Sequence, residues 1–208
     1  TGRIENLMLD LEMSTFAAVP WTEEAGPYNC EREGQGAARP TIGGDRPAQV
    51  FLPEDYDEAG NYPLVLLLHG YSTTGELQDG YLAVSAQQAG LEFIEVLPEG
   101  EVDGEGNQFW NAHPSCCGDQ PDLDDSGYLI GLIDEAIMAY SVDPARVYVV
   151  GHSNGAFMTY RMACDHAGRI AAVATLAGSE VLVAQDCLAD GELSVLHLHG
   201  TEDASVPY

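Results

Sequence analysis

The chain has 208 residues, of which 45% are hydrophobic, and this length is enough for one domain with a substantial core. Its 34 acidic and 7 basic residues give a net charge of -27, which argues against binding to nucleic acids or anionic membranes because their phosphates would repel the protein. No apolar run approaches the roughly 18 residues of a membrane-spanning helix. The sequence begins at Thr1 without a basic and apolar leader, so we expect a soluble mature form, a trimmed chain or a fragment.

The first 47 residues are rich in glycine, proline and acidic side chains and show little periodicity. We expect residues 1–47 to form an N-terminal extension packed on the core, and residues 48–208 to form the domain. There, apolar runs alternate with helical patterns, which predicts an α/β fold with a mostly parallel sheet and helices on both faces. The predicted strands are 48–53, 63–70, 91–98, 147–150, 170–177 and 193–199, and the predicted helices are 75–89, 125–140 and 155–164.

The strand over 147–150 runs directly into Gly151-His152-Ser153-Asn154-Gly155, and a helical pattern follows at once. A buried strand, a sharp turn on one serine and a helix form the nucleophile elbow of an α/β-hydrolase. A serine nucleophile needs a base within hydrogen-bond reach and donors for the oxyanion that forms. We therefore predict Ser153 as the nucleophile, with the backbone N–H groups of Asn154 and Tyr71 as oxyanion donors. A phosphate-binding or purely structural turn is the alternative.

Asp203 is the candidate acid, because α/β-hydrolases place their catalytic residues in the chain order serine, acid, histidine, with the acid after a late strand. A carboxylate that only caps a turn is the alternative at this position. The base is harder to place, since every histidine precedes Asp203 in the chain. The six are His69, His113, His152, His166, His197 and His199. We expect the first and third to stabilise the glycine turns and the last two to lie on a buried strand, so that the chain lacks its catalytic histidine together with the C-terminal strand and helix.

Five cysteines without Cys-x-x-Cys spacing favour disulfides in an oxidising compartment over a metal site. They are Cys30, Cys116, Cys117, Cys164 and Cys187. We therefore expect a secreted or periplasmic protein with one odd thiol, and the sequence leaves the pairing open. The side chains of the two adjacent cysteines are expected to point to opposite sides, which argues against a zinc cluster with Cys164 and His166.

The long loop over 99–121 is of a length that usually indicates a function or a disulfide. Within it, Gly104 to Gly106 predicts a hairpin turn, and Trp110 is a candidate substrate-binding side chain, with packing as the alternative. The acidic residues Asp122, Asp124 and Asp125 precede a helix, which favours capping of its first turn over calcium binding. The sequence predicts no metal site and no cofactor.

Seven sequence blocks, in this order along the chain, resemble the secreted polyhydroxybutyrate depolymerase and feruloyl-esterase-like family of α/β-hydrolases. They are residues 67–71, 109–111, 116–117, 124–128, 143–148, 151–158 and 199–208. The resemblance covers roughly residues 49–208 and implies a carboxylester hydrolase with an acyl-enzyme on Ser153 and Asp203 as the acid partner. It also implies a histidine downstream of Tyr208. Ser126 and Ala156 depart from the family pattern, at positions that are usually apolar and glycine.

We accordingly predict a serine carboxylester hydrolase that acts on polyesters such as polyhydroxyalkanoates, or on feruloyl or acetyl esters of polysaccharides. The alternative is a non-catalytic binding module that has the α/β-hydrolase fold and lacks the catalytic histidine. A third possibility is peptidase or dienelactone-hydrolase-like activity on the same fold. The expected partner is the ester substrate, with neither nucleic acid nor a membrane span.

Overall fold

The computed structural model describes residues 40–117, 120–179, 187 and 191–208. The helices of this part are α1 (Gly75–Leu82), α2 (Gln88–Leu91), α3 (Asp125–Ala139) and α4 (Asn154–Asp165), with 3-10 turns at Ser85–Gln87 and Ala167–Arg169. The strands are β1 (Thr41–Ile42), β2 (Ala48–Phe51), β3 (Tyr62–Leu68), β4 (Ile94–Leu97), β5 (Glu101–Val102), β6 (Gln108–Phe109), β7 (Val142–His152), β8 (Ala172–Leu176) and β9 (Ser194–Leu198).

Seven strands of the described residues form one sheet in the order β1-β2-β4-β3-β7-β8-β9. Strands β4, β3, β7, β8 and β9 are parallel to one another. At one edge, β2 pairs in antiparallel fashion with both β1 and β4. At the centre, β3 and β7 align Leu66 with Val149. The prediction of a mostly parallel α/β-hydrolase sheet is confirmed.

The sheet buries apolar side chains on both faces, as helices on both sides require. The larger cluster contains Leu64, Leu66 and Leu68 of β3 together with side chains of α3 and α4 such as Leu129 and Met162. A smaller cluster lies on the opposite face, where Leu82, at the end of α1, packs against the side chains of β2, β3 and β4. Because β3 is covered on both faces, the turn that follows it begins from a rigid position.

The predicted helix over 75–89 is divided, because α1 ends at Leu82 and Ala83 adopts a left-handed conformation with φ 54°. The carboxylate of Asp79 accepts a hydrogen bond from the N–H of Ser85 (2.7 Å), so a side chain takes the place of the next helical bond. The remaining residues form a 3-10 turn and the short α2. At the start of the domain, β1 adds residues 41–42 to the sheet. The sheet therefore begins before residue 48, where the sequence predicted the domain to start. Residues 1–39 of the expected extension lie outside the described part.

Strand β9 pairs with β8 and forms the edge of the sheet in the described residues. All five of its residues are exposed, with Val195, Leu196 and Leu198 each about half accessible. The expectation of a buried strand carrying His197 and His199 is therefore wrong for the strand and for His197. The side chain of His199, just beyond the strand, is only 2% exposed.

Two disulfides join cysteines of the described residues, Cys116 to Cys117 and Cys164 to Cys187. The expectation that the adjacent cysteines point apart is wrong. Cys117 has φ 69°, a turn conformation rather than the extended backbone on which neighbouring side chains alternate. Cys30 lies outside the described part. No helix described by the structure combines the length and apolar character that crossing a membrane requires.

Candidate active site

Ser153 occupies the turn between β7 and α4 with φ 52° and ψ -120°. A serine rarely adopts a positive φ, and such strain persists only where the surroundings enforce it. Here the Ser153 N–H donates to Leu176 O (2.8 Å), and its carbonyl accepts from the N–H groups of Ala156 and Phe157 in the first turn of α4. The elbow predicted from the sequence therefore has both of its flanking elements, and hydrogen bonds fix its backbone.

The two glycines of the elbow are required by close approach rather than by their φ angles. A Cβ on Gly151 would lie within 3.0 Å of the carbonyl oxygen of Gly155, and a Cβ on Gly155 would lie equally close to Leu68 O and His69 O. Since these contacts are with backbone atoms, neither can move aside easily. Gly155 thus lets α4 start directly against the end of β3, and the backbone strain is confined to Ser153.

The end of β3 brings the Gly70–Tyr71 turn beside the elbow, because β3 and β7 are parallel neighbours that end at the same edge of the sheet. A Cβ on Gly70 would lie 3.5 Å from Ser153 Cβ. Asn154 begins α4, where the first N–H groups have no partner within the helix. The roles of Tyr71 and Asn154 as oxyanion donors remain predictions, and each residue belongs to one of the two backbone segments that meet at Ser153.

His69 fixes the peptide that contains the Tyr71 N–H. Its Nδ1 donates to Gly70 O (2.7 Å), and its Nε2 accepts from the Gly100 N–H (2.8 Å), which defines a neutral tautomer. Burial lowers the pKa of this fully buried imidazole, and the Arg46 charge lowers it further against the effect of Gly70 O. Because the C=O and N–H of one peptide point in opposite directions, a fixed Gly70 carbonyl also fixes the direction of the Tyr71 N–H.

The Asn154 side chain joins the elbow to the long loop. Its Oδ1 accepts from Trp110 N (2.6 Å), and its Nδ2 donates to Trp110 O (2.9 Å) and to Cys116 Sγ (3.6 Å). Trp110 is itself fully buried, and its Nε1 donates to His69 O (2.9 Å). The ring of Trp110 has no accessible surface and its polar atom is engaged in packing the site. These contacts favour the packing alternative, and the role of Trp110 in substrate binding stays a prediction.

A buried ion pair supports the same loop from the other side. Arg46 Nη1 donates to Asp125 Oδ1 (2.6 Å), the Asp125 side chain has no exposed surface, and its Oδ2 accepts from Asn111 N (2.6 Å). The guanidinium packs over the rings of Trp110 and Tyr128. Burial raises the pKa of Asp125, and the Arg46 charge partly offsets this. The predicted cap of α3 is Asp124, whose Oδ1 accepts from Gly127 N, which leaves Asp125 for this second role.

The Tyr71 side chain is tied to the hairpin formed by β5 and β6. Its hydroxyl donates to Asp103 Oδ2 (2.5 Å) and accepts from Asn107 Nδ2 (3.0 Å). The hydrogen bond from Tyr71 lowers the pKa of Asp103 to about 2, and the same contact raises the pKa of Tyr71. The predicted turn over Gly104 to Gly106 closes this hairpin. Ser72, with φ 60°, donates its N–H to Gln108 O, so the hairpin holds the backbone after Tyr71 as well.

An open cleft of about 280 Å³ lies beside Ser153 and is bounded by Tyr71, Leu77 and Tyr81. Tyr81 is 68% exposed, and its ring packs against the imidazole of His152 with a centroid separation of 5.4 Å. Burial lowers the pKa of His152, while the nearby Asp203 carboxylate raises it. The cleft therefore offers apolar and aromatic surface next to the serine.

Asp203 lies in the turn after β9 and accepts two backbone hydrogen bonds at Oδ1, from Ser205 N (2.8 Å) and Val206 N (2.9 Å). The hydrogen bond from Val206 is the largest cause that lowers the pKa of Asp203, followed by that from Ser205. The imidazoles of His199 and His152 lower this pKa further. His199 Nε2 lies 3.7 Å from Asp203 Oδ2 and contacts Val206 O at 2.7 Å. An ionised carboxylate is thus available on this side of the site, and its turn-capping bonds occupy only one of its two oxygens.

None of the six histidines hydrogen-bonds Ser153, and all six lie within the described residues. Each ring nitrogen contact is with another group: Gly70 and Gly100 for His69, Ser115 for His113, Gln78 for His152, Ser126 for His166, Tyr160 and Thr175 for His197, and Val206 for His199. The hydrogen bonds of the described residues therefore assign no histidine to Ser153, and the identity of the base stays a prediction. Within the described residues there is also no group of three His, Cys, Asp or Glu side chains suited to a metal ion.

Comparison with known proteins identifies the family. Residues 40–190 match the model of the Esterase family, described as "Putative esterase". The chain belongs to this esterase family. It is 32% identical over 167 residues to the protein named "Putative esterase NocK" of Nocardia uniformis subsp. tsuyamanensis, which covers 78% of this chain and 44% of that protein. It is 30% identical to the bifunctional acetylxylan esterase/xylanase XynS20E of Neocallimastix patriciarum over 80% of this chain and 22% of that protein.

The chain spans less than half the length of these two relatives. Among solved structures, it is similar to an acetyl xylan esterase from Aspergillus awamori, with a TM-score of 0.64 and 20% identity over 82% of this chain and 75% of that one. It also resembles a thermostable esterase, with a TM-score of 0.61 and 19% identity over 82% of this chain and 48% of that one. These two similarities agree with the α/β-hydrolase fold described above.

Proposed function

We propose that the protein hydrolyses carboxylic esters through an acyl-enzyme on Ser153. The observation that carries this proposal is the strained φ of Ser153, held between two glycines at which a Cβ would overlap backbone atoms. The attacking Oγ would form the tetrahedral intermediate, whose oxyanion would accept from the N–H groups of Asn154 and Tyr71. Asp203 would orient the imidazole that takes the serine proton, as its ionised carboxylate allows.

The base in this mechanism would be a histidine, and none of the six histidines of this chain hydrogen-bonds Ser153 in the described residues. The isolated 208-residue chain should therefore hydrolyse p-nitrophenyl esters only at the residual rate that the oxyanion donors support. A longer protein that supplies a histidine downstream of Tyr208, with its imidazole between the Ser153 hydroxyl and the Asp203 carboxylate, should turn over rapidly.

For the substrate, we propose a polyester such as a polyhydroxyalkanoate, or feruloyl or acetyl esters on a polysaccharide. Support comes from the relatives, which include one named poly(3-hydroxyalkanoate) depolymerase C, from Paucimonas lemoignei, 32% identical over 62% of this chain and 31% of that protein. The cleft is open and bounded by two tyrosines and a leucine, which suits an ester carried on a large molecule with an apolar or aromatic group beside the bond. The two disulfides support secretion, because disulfides persist in oxidising extracellular environments, where such polymers are found.

The test is covalent labelling of the full-length protein with an organophosphonate, followed by peptide mass spectrometry. We expect one adduct on Ser153, absent from Ser153→Ala, together with hydrolysis of p-nitrophenyl acetate. Assays on methyl ferulate, acetylated xylan and a polyhydroxybutyrate suspension then decide among the substrates. A folded full-length protein that gives neither an adduct nor turnover would instead support the non-catalytic binding module.

A further inference from the structure

Gln78 is a buried polar residue of α1 that lies beneath the cleft beside Ser153. Its side chain is part of the cleft wall, yet the residue is only 2% exposed. Glutamine is mostly found at protein surfaces, and a buried carboxamide is expected to have hydrogen-bond partners for both its oxygen and its nitrogen. The contacts of Gln78 should therefore show what it does there.

The carboxamide oxygen joins the two turns of the site. Gln78 Oε1 accepts from the Gly70 N–H (3.1 Å) and lies 3.1 Å from His152 Nδ1. The donor at Gly70 is a backbone N–H, so the atom facing it must be the oxygen, and His152 Nδ1 must carry the proton that reaches the same oxygen. Gly70 immediately precedes Tyr71, and His152 immediately precedes Ser153. One atom therefore joins the turn at Gly70 and Tyr71, which we call the oxyanion turn, to the turn at His152 and Ser153, which we call the nucleophile turn.

The carboxamide nitrogen has the opposite character. Gln78 Nε2 is buried and has no hydrogen-bond partner among the described residues. An unpaired buried donor lowers stability, and an apolar side chain of the same length would avoid that cost but would leave the Gly70 N–H without its acceptor. Only the oxygen of the carboxamide is therefore used, and its two contacts lie at the turns beside Tyr71 and Ser153.

We propose that Gln78 is a positioning residue for acyl transfer, which fixes the Tyr71 N–H and Ser153 Oγ at the separation that the tetrahedral intermediate requires. This inference rests on the proposed serine mechanism. Gln78 touches neither the substrate nor the reacting atoms, and it acts through the Gly70 amide and the His152 imidazole. Replacing Gln78 should therefore lower kcat rather than raise KM, because only the transition state requires the Tyr71 N–H and Ser153 Oγ at a fixed separation.

The experiment compares Gln78→Met, Gln78→Glu and a matched control, Gln87→Met, in the full-length protein. Gln87 is an exposed glutamine in the 3-10 turn after α1, so the same chemical change there should leave kcat and KM as they are. Methionine at position 78 removes the acceptor and the unpaired donor at nearly constant volume, and glutamate retains an oxygen at the same place. The readouts are kcat and KM for p-nitrophenyl acetate, the rate of organophosphonate labelling, and Tm.

For Gln78→Met we expect a Tm within about 4 °C of wild type, an unchanged KM, and kcat and labelling rate reduced by roughly tenfold to a hundredfold. Gln78→Glu should recover most of the lost rate. Wild-type kcat in folded Gln78→Met would overturn the proposal, as would Gln78→Glu being as slow as methionine. Loss of folding in Gln78→Met would also overturn it, since the carboxamide would then support the fold. If the wild-type protein neither turns over nor labels at Ser153, the proposed function fails and this inference fails with it, whereas wild-type kcat in Gln78→Met with normal labelling of wild type overturns this inference alone.

Discussion

Replacing Arg46 by methionine should destabilise the protein strongly and in a manner that depends on pH. The guanidinium is the cation that compensates Asp125, whose side chain is fully buried. Removing one partner of a buried ion pair costs about 3–5 kcal/mol, a large share of the roughly 5–15 kcal/mol of a typical domain. Methionine retains much of the apolar contact with the rings of Trp110 and Tyr128, so most of the loss should come from the uncompensated carboxylate.

The sign of the pH dependence follows from the carboxyl group. Burial already raises the pKa of Asp125, and Arg46 opposes that effect, so Arg46→Met should raise the pKa further. A group whose pKa is higher in the folded than in the unfolded state loses its contribution to stability as pH rises through the folded value. Arg46→Met should therefore be closest to wild type at acidic pH and should fall behind as pH rises towards neutrality.

The assay is urea unfolding of the 208-residue chain between pH 4.5 and 7.5, with Arg169→Met as the matched control. Arg169 pairs with Asp134 at the surface, where both side chains are about half exposed, and such pairs contribute about 0–1 kcal/mol. The double variant Arg46→Met/Asp125→Asn removes the buried charge and keeps an acceptor for the Asn111 N–H, so it should be more stable than Arg46→Met at pH 7. A double variant that is less stable than Arg46→Met, or a loss that does not vary with pH, would refute the reasoning.

Two further predictions concern the elbow and the turn after β3. Gly155→Ala should prevent native folding or lower the free energy of unfolding by at least about 1–3 kcal/mol, because its Cβ would overlap the carbonyls of Leu68 and His69. The control is Gly131→Ala on α3, where a Cβ meets no atom within 4 Å, and it should raise the free energy of unfolding by about 0.5–1 kcal/mol. Equal effects of the two substitutions in urea unfolding would contradict the close approach at Gly155. His69 has a lowered pKa, so its neutral form stabilises the fold and stability should fall as pH drops below about 6.5. In His69→Asn, which keeps a donor near Gly70 O, the slope of stability between pH 7.5 and 5.5 should be smaller, and an unchanged slope would exclude His69 as its source.

The parts of this fold that could be predicted are those that depend on local sequence. The apolar run of β3 and the strand that leads to Gly151 have patterns that long-range contacts do not alter, and both appear where expected. The capping of α3 by Asp124 is likewise a local interaction. The predicted helix after Gly75 was wrong in its second half, because the Asp79 side chain competes with the backbone for the N–H of Ser85. Composition alone gives no signal for that competition.

The supports of the site could not be predicted, because each joins residues distant in the chain. Arg46 lies in the segment expected to be an extension, yet it holds Asp125, and nothing in its neighbours indicates a buried charge. Trp110 was expected in the cleft because aromatic residues on long loops often bind ligands. Its burial follows from Asn154, whose side chain accepts a hydrogen bond from the N–H of Trp110 and donates one to its C=O. The available signal in the sequence is an asparagine directly after Ser153, whose side chain can form hydrogen bonds in addition to its backbone N–H.

These supports imply a division of labour within the site. The elbow enforces its own geometry through Gly151 and Gly155, so Ser153 can be recognised from five residues. The oxyanion turn has no such local constraint: Gly70 and Tyr71 are positioned by His69 and Gln78 from below and by the Asp103 hairpin from outside. On the proposed mechanism, substitutions that leave the elbow motif intact should slow acyl transfer if they move the Tyr71 N–H. For this protein, the intact motif from Gly151 to Gly155 is consequently weaker support for activity than the motif together with the buried acceptor of Gln78.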